Sequence, residues 1–467
     1  MNNLLRTFLF LTLGICLTSC MVGPDFEEPQ IELPNEFENT HKEKYQIEKL
    51  SQWWEIFRDE QLNSLIVRAL ESNLDLAQAR ANIAVSRAAL GSSQSGLWPT
   101  LDANANVTEK SQNGFGNPST MYGLGLSAGW EIDIFGGIRR DNEATLADYK
   151  ASMAEEYSLQ IMIIAEVAKN YFTYRAYQEA LSITKNNLVT QEKTYNITQQ
   201  RKQSGFVSQL DVVRAAAQMK STLSQIPSIE KSLAQTRYAL ELLLGLSSGS
   251  LKDELSEEKE FPELEFFAPI GVPAELVSRR PDVMAASYRM HSASARIGVA
   301  TADLYPRLSI TGTIGYQAPK LGSMVESQYG SWAIGPSVNW DIFRAGKILY
   351  NIEGREAALE AAGAYWKKTV LTALKEVEDN LIATNKERER VKYLNALSEH
   401  YHKAYELSFK LYSEGEIEFL DLLESQRSLL SAEQSVISSR EAFLSNIISL
   451  YKALGGGWQP TDAEEME

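Results

Sequence analysis

The sequence predicts a mixed fold, mostly α, in which a duplicated half supplies four membrane β-strands and long coiled-coil helices per protomer. Three observations predict it. Landmarks recur in the same order about 207 to 210 residues apart. Two stretches free of glycine and proline exceed the length of ordinary globular helices. Four segments of about 9 to 11 residues alternate between apolar and small or polar side chains, the pattern of a bilayer-spanning strand.

The chain opens on a targeting segment, residues 1–19. Arg6 supplies its charge, Phe8 to Leu17 its apolar run, and small residues precede Cys20. Leu17-Thr18-Ser19-Cys20 resembles a bacterial lipobox, which implies that Cys20 becomes the lipidated mature N-terminus. Met21 in place of an aspartate favours the outer membrane. Cys16 leaves with the signal, so no thiol remains for disulfides, metals or nucleophilic chemistry. The net charge of -16, one unit more negative without Arg6, argues against nucleic acid as a partner. No later stretch reaches the roughly 18 to 20 apolar residues of a membrane helix, so a membrane crossing requires strands.

The duplication is explicit. Leu97-Trp98-Pro99-Thr100-Leu101 returns as Leu304-Tyr305-Pro306-Arg307-Leu308, and Asp133-Ile134-Phe135 as Asp341-Ile342-Phe343. Gly205 with Leu210-Asp211-Val212 returns as Gly415 with Leu420-Asp421-Leu422, and Leu244-Gly245 as Leu454-Gly455. The expected division is a signal at 1–19, an anchor and equatorial segment at 20–61, a first repeat at 62–245, an insert at 246–270, a second repeat at 271–455 and a tail at 456–467.

In the first repeat, the apolar series Tyr122 to Ile134 alternates with Gly123 to Asp133, and Leu101 to Val107 with Asp102 to Thr108. The second repeat sets Trp332 to Ile342 against Ser331 to Asp341, and Leu308 to Tyr316 against Ser309 to Gly315. Each pair reads as a hairpin. Trp130, Trp332, Trp340 and Tyr122 lie near strand ends, as an aromatic girdle requires. Four strands cannot close a barrel, whereas three protomers give twelve strands and two give a bare eight. The helices must enclose a lumen, which favours the trimer.

Between Ile138 and Ser204 lie 67 residues without glycine or proline, about 100 Å as one helix. Ala364 to Glu414 and Glu416 to Leu454 repeat the pattern. In the last segment apolar pairs recur every seven residues, from Leu422/Leu423 through Leu429/Leu430, Val436/Ile437 and Phe443/Leu444 to Leu450/Tyr451. A strict heptad implies left-handed supercoiling against neighbours. Gly205 and Gly415 end the long runs as helix-terminating glycines at two hairpin tips. A trimer then makes a twelve-stranded barrel and a twelve-helix periplasmic tunnel.

Cys20-Met21-Val22-Gly23-Pro24-Asp25-Phe26-Glu27-Glu28-Pro29, Trp53-Trp54, Arg279-Arg280-Pro281-Asp282-Val283 and the two tips together resemble the outer-membrane factor family, of TolC-like proteins. The narrower likeness is to the lipoprotein branch of tripartite efflux pumps. It covers essentially the whole mature chain. It implies a homotrimer lipid-anchored in the bacterial outer membrane and extending into the periplasm, with an equatorial collar. Its implied partners are a periplasmic adaptor (membrane fusion protein) and an inner-membrane pump of the resistance-nodulation-division type. It implies no cofactor beyond the covalent lipid on Cys20.

No residue set suggests an enzyme or a metal site: His400 and His402 diverge on a helix, and His41 and His291 lack ligand-like neighbours. Arg279-Arg280-Pro281-Asp282 suits a helix start, with proline first and an acid at the positive end of the dipole. Asp421 and Glu424, one turn apart, fit either a solvated face or a lumen, where three-fold symmetry would make each a ring. The resemblance implies the latter, a cation-selective filter at the periplasmic entrance. It also implies an entrance lock at Asp211 and Tyr412, and adaptor contacts at Gly205-Phe206-Val207-Ser208 and Gly415-Glu416-Ile417-Glu418. Ile417 stands where the family places an arginine of that lock. The acidic second tip calls for a basic adaptor hairpin. The function implied is an exit duct for small molecules. The outlet of a type I protein secretion system and a non-channel coiled-coil lipoprotein are the competing readings. Replacing Cys20 with serine is expected to abolish labelling by radioactive palmitate, and retained label would disprove the lipobox.

Overall fold

The computed structural model describes residues 21–31, 33, 37–38, 50–111, 118–259, 261–262, 279–324 and 326–458. The signal segment, Cys20 and His41 lie outside the described residues, as does much of 20–61, of the insert's second part and of the tail. After a 3-10 turn at Trp53–Phe57 come α1 (Glu60–Ser72), α2 (Leu74–Ser95), β1 (Thr100–Lys110), β2 (Ser119–Ile132), α3 (Gly137–Gln203) and α4 (Gln209–Leu243). They are followed by α5 (Pro281–Ala302), β3 (Arg307–Ala318), β4 (Gly330–Asn339), α6 (Lys347–Glu414) and α7 (Phe419–Ala453). Two compact units result. The first comprises residues 21–31, Ala81–Ala154 and Met284–Thr369; the second, the described parts of Glu32–Arg80, Glu155–Val283 and Val370–Glu467.

The first unit holds one antiparallel sheet in the order β1-β2-β3-β4. Beyond the two expected hairpins, β2 pairs with β3 across the repeats, with Leu126 opposite Ile314 and Gly125 opposite Gly315. Gly315 has to be glycine, because a Cβ would lie 2.7 Å from the Leu124 carbonyl oxygen. The apolar face is bare: Trp332 is 76 % and Ile334 72 % exposed. A soluble sheet would bury such a face. Strands β2 and β4 end at Ile132 and Asn339, before the positions the alternation suggested; after β2, Asp133 turns to accept the amides of Ile138 and Arg139 at the start of α3, and after β4, Asp341 accepts from Arg344 at 2.7 Å. Trp130 and Trp340 hold duplicate places, each indole donating at 3.0 Å to a helix-end carbonyl, of Leu97 and Leu304 respectively.

Just after the lipobox, the chain straps onto this unit. The Val22 amide donates to the Phe135 carbonyl at 3.1 Å, and Gly23 lies so close to Gly298 that a Cβ would sit 2.4 Å from its Cα. Buried Arg140 reaches the Val22 carbonyl at 3.2 Å, Asp25 at 2.6 Å and Glu143 at 2.7 Å. Glu143 also meets His291 at 2.8 Å, on whose ring Phe26 stacks at 4.4 Å.

Helix α3 runs 67 residues, matching the breaker-free stretch. Helix α6 differs: it starts at Lys347 rather than near Ala364, and accommodates Gly354 and Gly363. An interior glycine costs about 1 kcal/mol, and a helix of 68 residues absorbs two. All ten heptad residues of α7 are buried. Four of them, Phe443, Leu444, Leu450 and Tyr451, help build the core of the second unit with Leu62, Leu65 and Ile66 of α1 and Ile164, Ala168 and Tyr171 of α3. Trp53 stacks on Tyr451 at 5.1 Å. Leu251 and Leu255 of the insert join the same core, and Trp458 stacks on Tyr157.

Arg279-Arg280-Pro281-Asp282 is a helix start. Pro281 opens α5, and Arg280, 9 % exposed, bonds the Ala453 carbonyl at 2.8 Å as well as Asp282 and Glu376. Burial alone would lower the Arg280 pKa, but its two carboxylate partners hold it above its ordinary value, so the cation persists. Leu444→Ala is expected to cost about 3 kcal/mol through the lost transfer energy and the cavity left behind, checked by thermal unfolding of the helical circular dichroism signal.

Candidate functional site

Both tips sit in the second unit and are built alike at first. Gly205 has φ +80° and Gly415 φ +87°. The Phe206 amide reaches back to the Arg201 carbonyl at 2.8 Å, and the Glu416 amide to the Leu411 carbonyl at 2.9 Å. The left-handed glycine lets the chain satisfy the last carbonyls of α3 and α6 before turning.

The returning helices then diverge. At the first tip Ser208 caps α4 in a reciprocal box, its Oγ accepting the Asp211 amide at 3.3 Å while Asp211 accepts the Ser208 amide at 3.1 Å. At the second tip Glu418 holds the cap position and makes no side-chain cap bond. Asp421, the duplicate of Asp211, is therefore released from capping. Asp421 and Glu424 are exposed on the helix face opposite buried Leu422, Leu423 and Gln426. Among the described residues no hydrogen bond or ion pair engages either carboxylate.

Within one chain the lock residues Asp211 and Tyr412 are not hydrogen-bonded to each other. The Tyr412 hydroxyl shares a 3.0 Å hydrogen bond with Thr198, and Tyr412 is buried among Ala215, Phe419, Leu422 and Leu423. Asp211 is held by Ser208, with Arg214 at 3.7 Å. Each group has a hydrogen-bond partner nearby. Burial pushes the Tyr412 phenol above its ordinary pKa and keeps it protonated. Ile417 packs on the same small core. Phe206 is 75 % exposed, and Gly205, Ser208, Gly415, Glu416 and Glu418 are also exposed, while Val207 is half-buried.

Sequence reading missed two features. Arg201 of α3 lies over Tyr412, its Cζ 4.8 Å from the ring centroid. A polar ladder also ties α3 to α7 through Thr194–Gln426, Asn187–Glu433 and Thr173–Glu441, each at 2.9 Å. The spacing of seven between Asn187 and Thr194, and between Gln426 and Glu433, was the available signal. Arg427–Gln218 at 2.6 Å and Gln434–Gln225 at 3.2 Å tie α4 to α7 across the two repeats. Among the described residues no group of three or more His, Cys, Asp or Glu could hold a metal ion.

A lone four-stranded sheet with an apolar exposed face, interleaved with four long helices ending in capped tips, defines an outer-membrane channel protein. The chain belongs to the outer membrane efflux protein family, whose model matches residues 65–246 and 272–456. It is 30 % identical over 475 residues to the toluene efflux pump outer membrane protein TtgF of Pseudomonas putida, covering 98 % of both chains. It is also 30 % identical to nodulation protein T of Rhizobium leguminosarum bv. viciae, covering 96 % of this chain and 92 % of that one. Among solved structures, the outer-membrane channel OprN superposes with a TM-score of 0.87 at 32 % identity, covering 94 % of this chain and 100 % of that one. The open state of the Neisseria gonorrhoeae MtrE outer membrane channel gives 0.82 at 30 %, covering 94 % and 98 %.

Burial raises the pKa of Glu433 above its ordinary value, more than the Asn187 amide lowers it. The folded state thus binds the proton more tightly than the unfolded one, and stability falls as pH rises from the ordinary glutamate value through the raised one. Glu433→Gln is expected to raise the thermal unfolding midpoint at pH 7 and leave it nearly unchanged at pH 4.

Proposed function

We propose that three copies of this chain close their sheets into a twelve-stranded barrel and set their helices side by side as a periplasmic tunnel. The protein serves as the exit duct of a tripartite efflux system. The carrying observation is the exposed apolar face of a sheet whose outer edges, on β1 and β4, have no partner strand among the described residues. Hydrocarbon tolerates such a face but not such edges, so copies of the chain must pair them. Residues 62–245 and 271–455 serve as the two repeats of each protomer. Lipid on Cys20 anchors the chain, and the strap from Met21 carries it to the sheet.

Small molecules reach the tips from an inner-membrane pump of the resistance-nodulation-division type through a periplasmic adaptor. The exposed tips Gly205 to Ser208 and Gly415 to Glu418 offer that adaptor an apolar side chain, Phe206, beside the acids Glu416 and Glu418. The duct needs no catalytic group or cofactor. Asp421 and Glu424, free of local partners, form two carboxylate rings that select cations by attracting positive ions and repelling negative ones. Asp211 and Tyr412 are the positions of the entrance lock, and helix packing around Tyr412 supports it within each chain.

Planar-bilayer recordings of the purified, unboiled protein are expected to show cation-preferring pores blocked by divalent cations. Asp421→Ala with Glu424→Ala should weaken both preference and block. Unchanged selectivity would remove the filter assignment, and a wild type that stays silent even with its adaptor present would remove the duct.

A further inference from the structure

Arg201 stands in the last turn of α3, one turn beyond Thr198 and four residues before Gly205. Its guanidinium engages the second hairpin in three ways. One Nη donates to the Tyr412 carbonyl. The Cζ lies 4.8 Å from the centroid of the Tyr412 ring. The other Nη is 3.0 Å from where a Cβ on Gly415 would sit. The Tyr412 carbonyl also accepts the Gly415 amide at 3.1 Å, the bond that shapes the second tip. Arg201 therefore grips the tip's backbone at the residue that sets its turn.

Chemistry favours a cation there. The Tyr412 carbonyl belongs to the last turn of α6, where the helix presents its negative end and its unpaired acceptors. A planar guanidinium satisfies such an acceptor while its face covers an aromatic ring, which an ammonium does less well. Among the described residues no ion pair joins Arg201 to a carboxylate, so its charge is held by the carbonyl and the ring. Thr198–Tyr412 and Thr194–Gln426, the neighbouring polar links between the hairpins, lie deeper. The contact also has no twin: 210 residues beyond Arg201 is Leu411, and 210 before Tyr412 is Lys202.

We infer that Arg201 is the positioning residue that clasps the second helix tip to the first within each chain, so that the second tip cannot swing away until this contact breaks. The inference rests on the duct reading for its consequence, which is that the clasp sets the resting width of the entrance at Asp421 and Glu424. It supplies a cation although position 417 carries isoleucine, and it acts on a backbone carbonyl rather than on a carboxylate.

The only cysteines in the sequence are Cys16 and Cys20, so spin labels can be placed cleanly on Phe206→Cys and Glu416→Cys. Electron–electron distance measurement on the full-length protein, diluted with unlabelled chains, isolates the separation of the two tips in one chain. A single narrow distribution is expected with Arg201 present. Arg201→Ala and Arg201→Gln should broaden it and move it to longer distance, and Arg201→Lys should fall between, with thermal unfolding midpoints unchanged. An unaltered distribution in both Arg201→Ala and Arg201→Gln overturns the clasp whether or not the protein conducts. Bilayer recordings on the same variants are expected to show longer open times. Separated tips with no conductance in any variant would keep the clasp and overturn the duct.

Discussion

A backbone amide left unpaired in hydrocarbon costs several kcal/mol, and that constraint governs the first unit of this chain. Four strands from two repeats become a single sheet because β2 pairs with β3, which reduces four free edges to two. The two that remain, on β1 and β4, are the physical reason to expect further copies. The same constraint explains the glycine at 315, where one repeat's strand comes too close to the other's for any side chain. It also explains why Trp130 and Trp340 are tied by their indoles to helix-end carbonyls: an exposed aromatic at the border of a bilayer needs its polar atom satisfied.

Duplication supplied two copies of every tip element, and single residues then gave them different work. Ser208 occupies Asp211 in capping, whereas Glu418 leaves Asp421 free. A carboxylate with no local partner can act on what passes, and one bound in a capping box cannot. Arg201 has a leucine as its duplicate, so the link between hairpins runs one way. Likewise the buried heptad of α7 has no equal in α4, which carries Pro227 where the duplicate 210 residues on is Ile437.

Much of this was legible in the sequence, for physical reasons. The absence of breakers fixed the extent of α3, the ten residues marked by the heptad in α7 are all buried, and strand alternation marked the exposed face. The start of α6 was hidden because two glycines were read as breakers, although Gly363 packs against Met290 and is tolerated. Strand ends slipped because alternation continues into Asp133 and Asp341, where side-chain capping and turns take over. Within one chain Tyr412 and Asp211 each have a nearer partner, Thr198 and Ser208, which sequence position alone does not reveal. Arg201 left no trace, since an arginine bound to a carbonyl and an aromatic face lacks the periodic or charge-paired signature that sequence reading relies on.

The polar ladder between α3 and α7 bears on how the protein is made. Thr173 meets Glu441 and Asn187 meets Glu433, partners 268 and 246 positions apart along the chain. A helix delivered early thus waits for nearly the last segment before its buried face is covered. Contacts of such sequence separation form slowly, and apolar surface left open meanwhile invites aggregation. Biogenesis of this protein is therefore a problem of timing: the buried face of α3 stays uncovered until α7 arrives, and the polar rungs join the two helices only then.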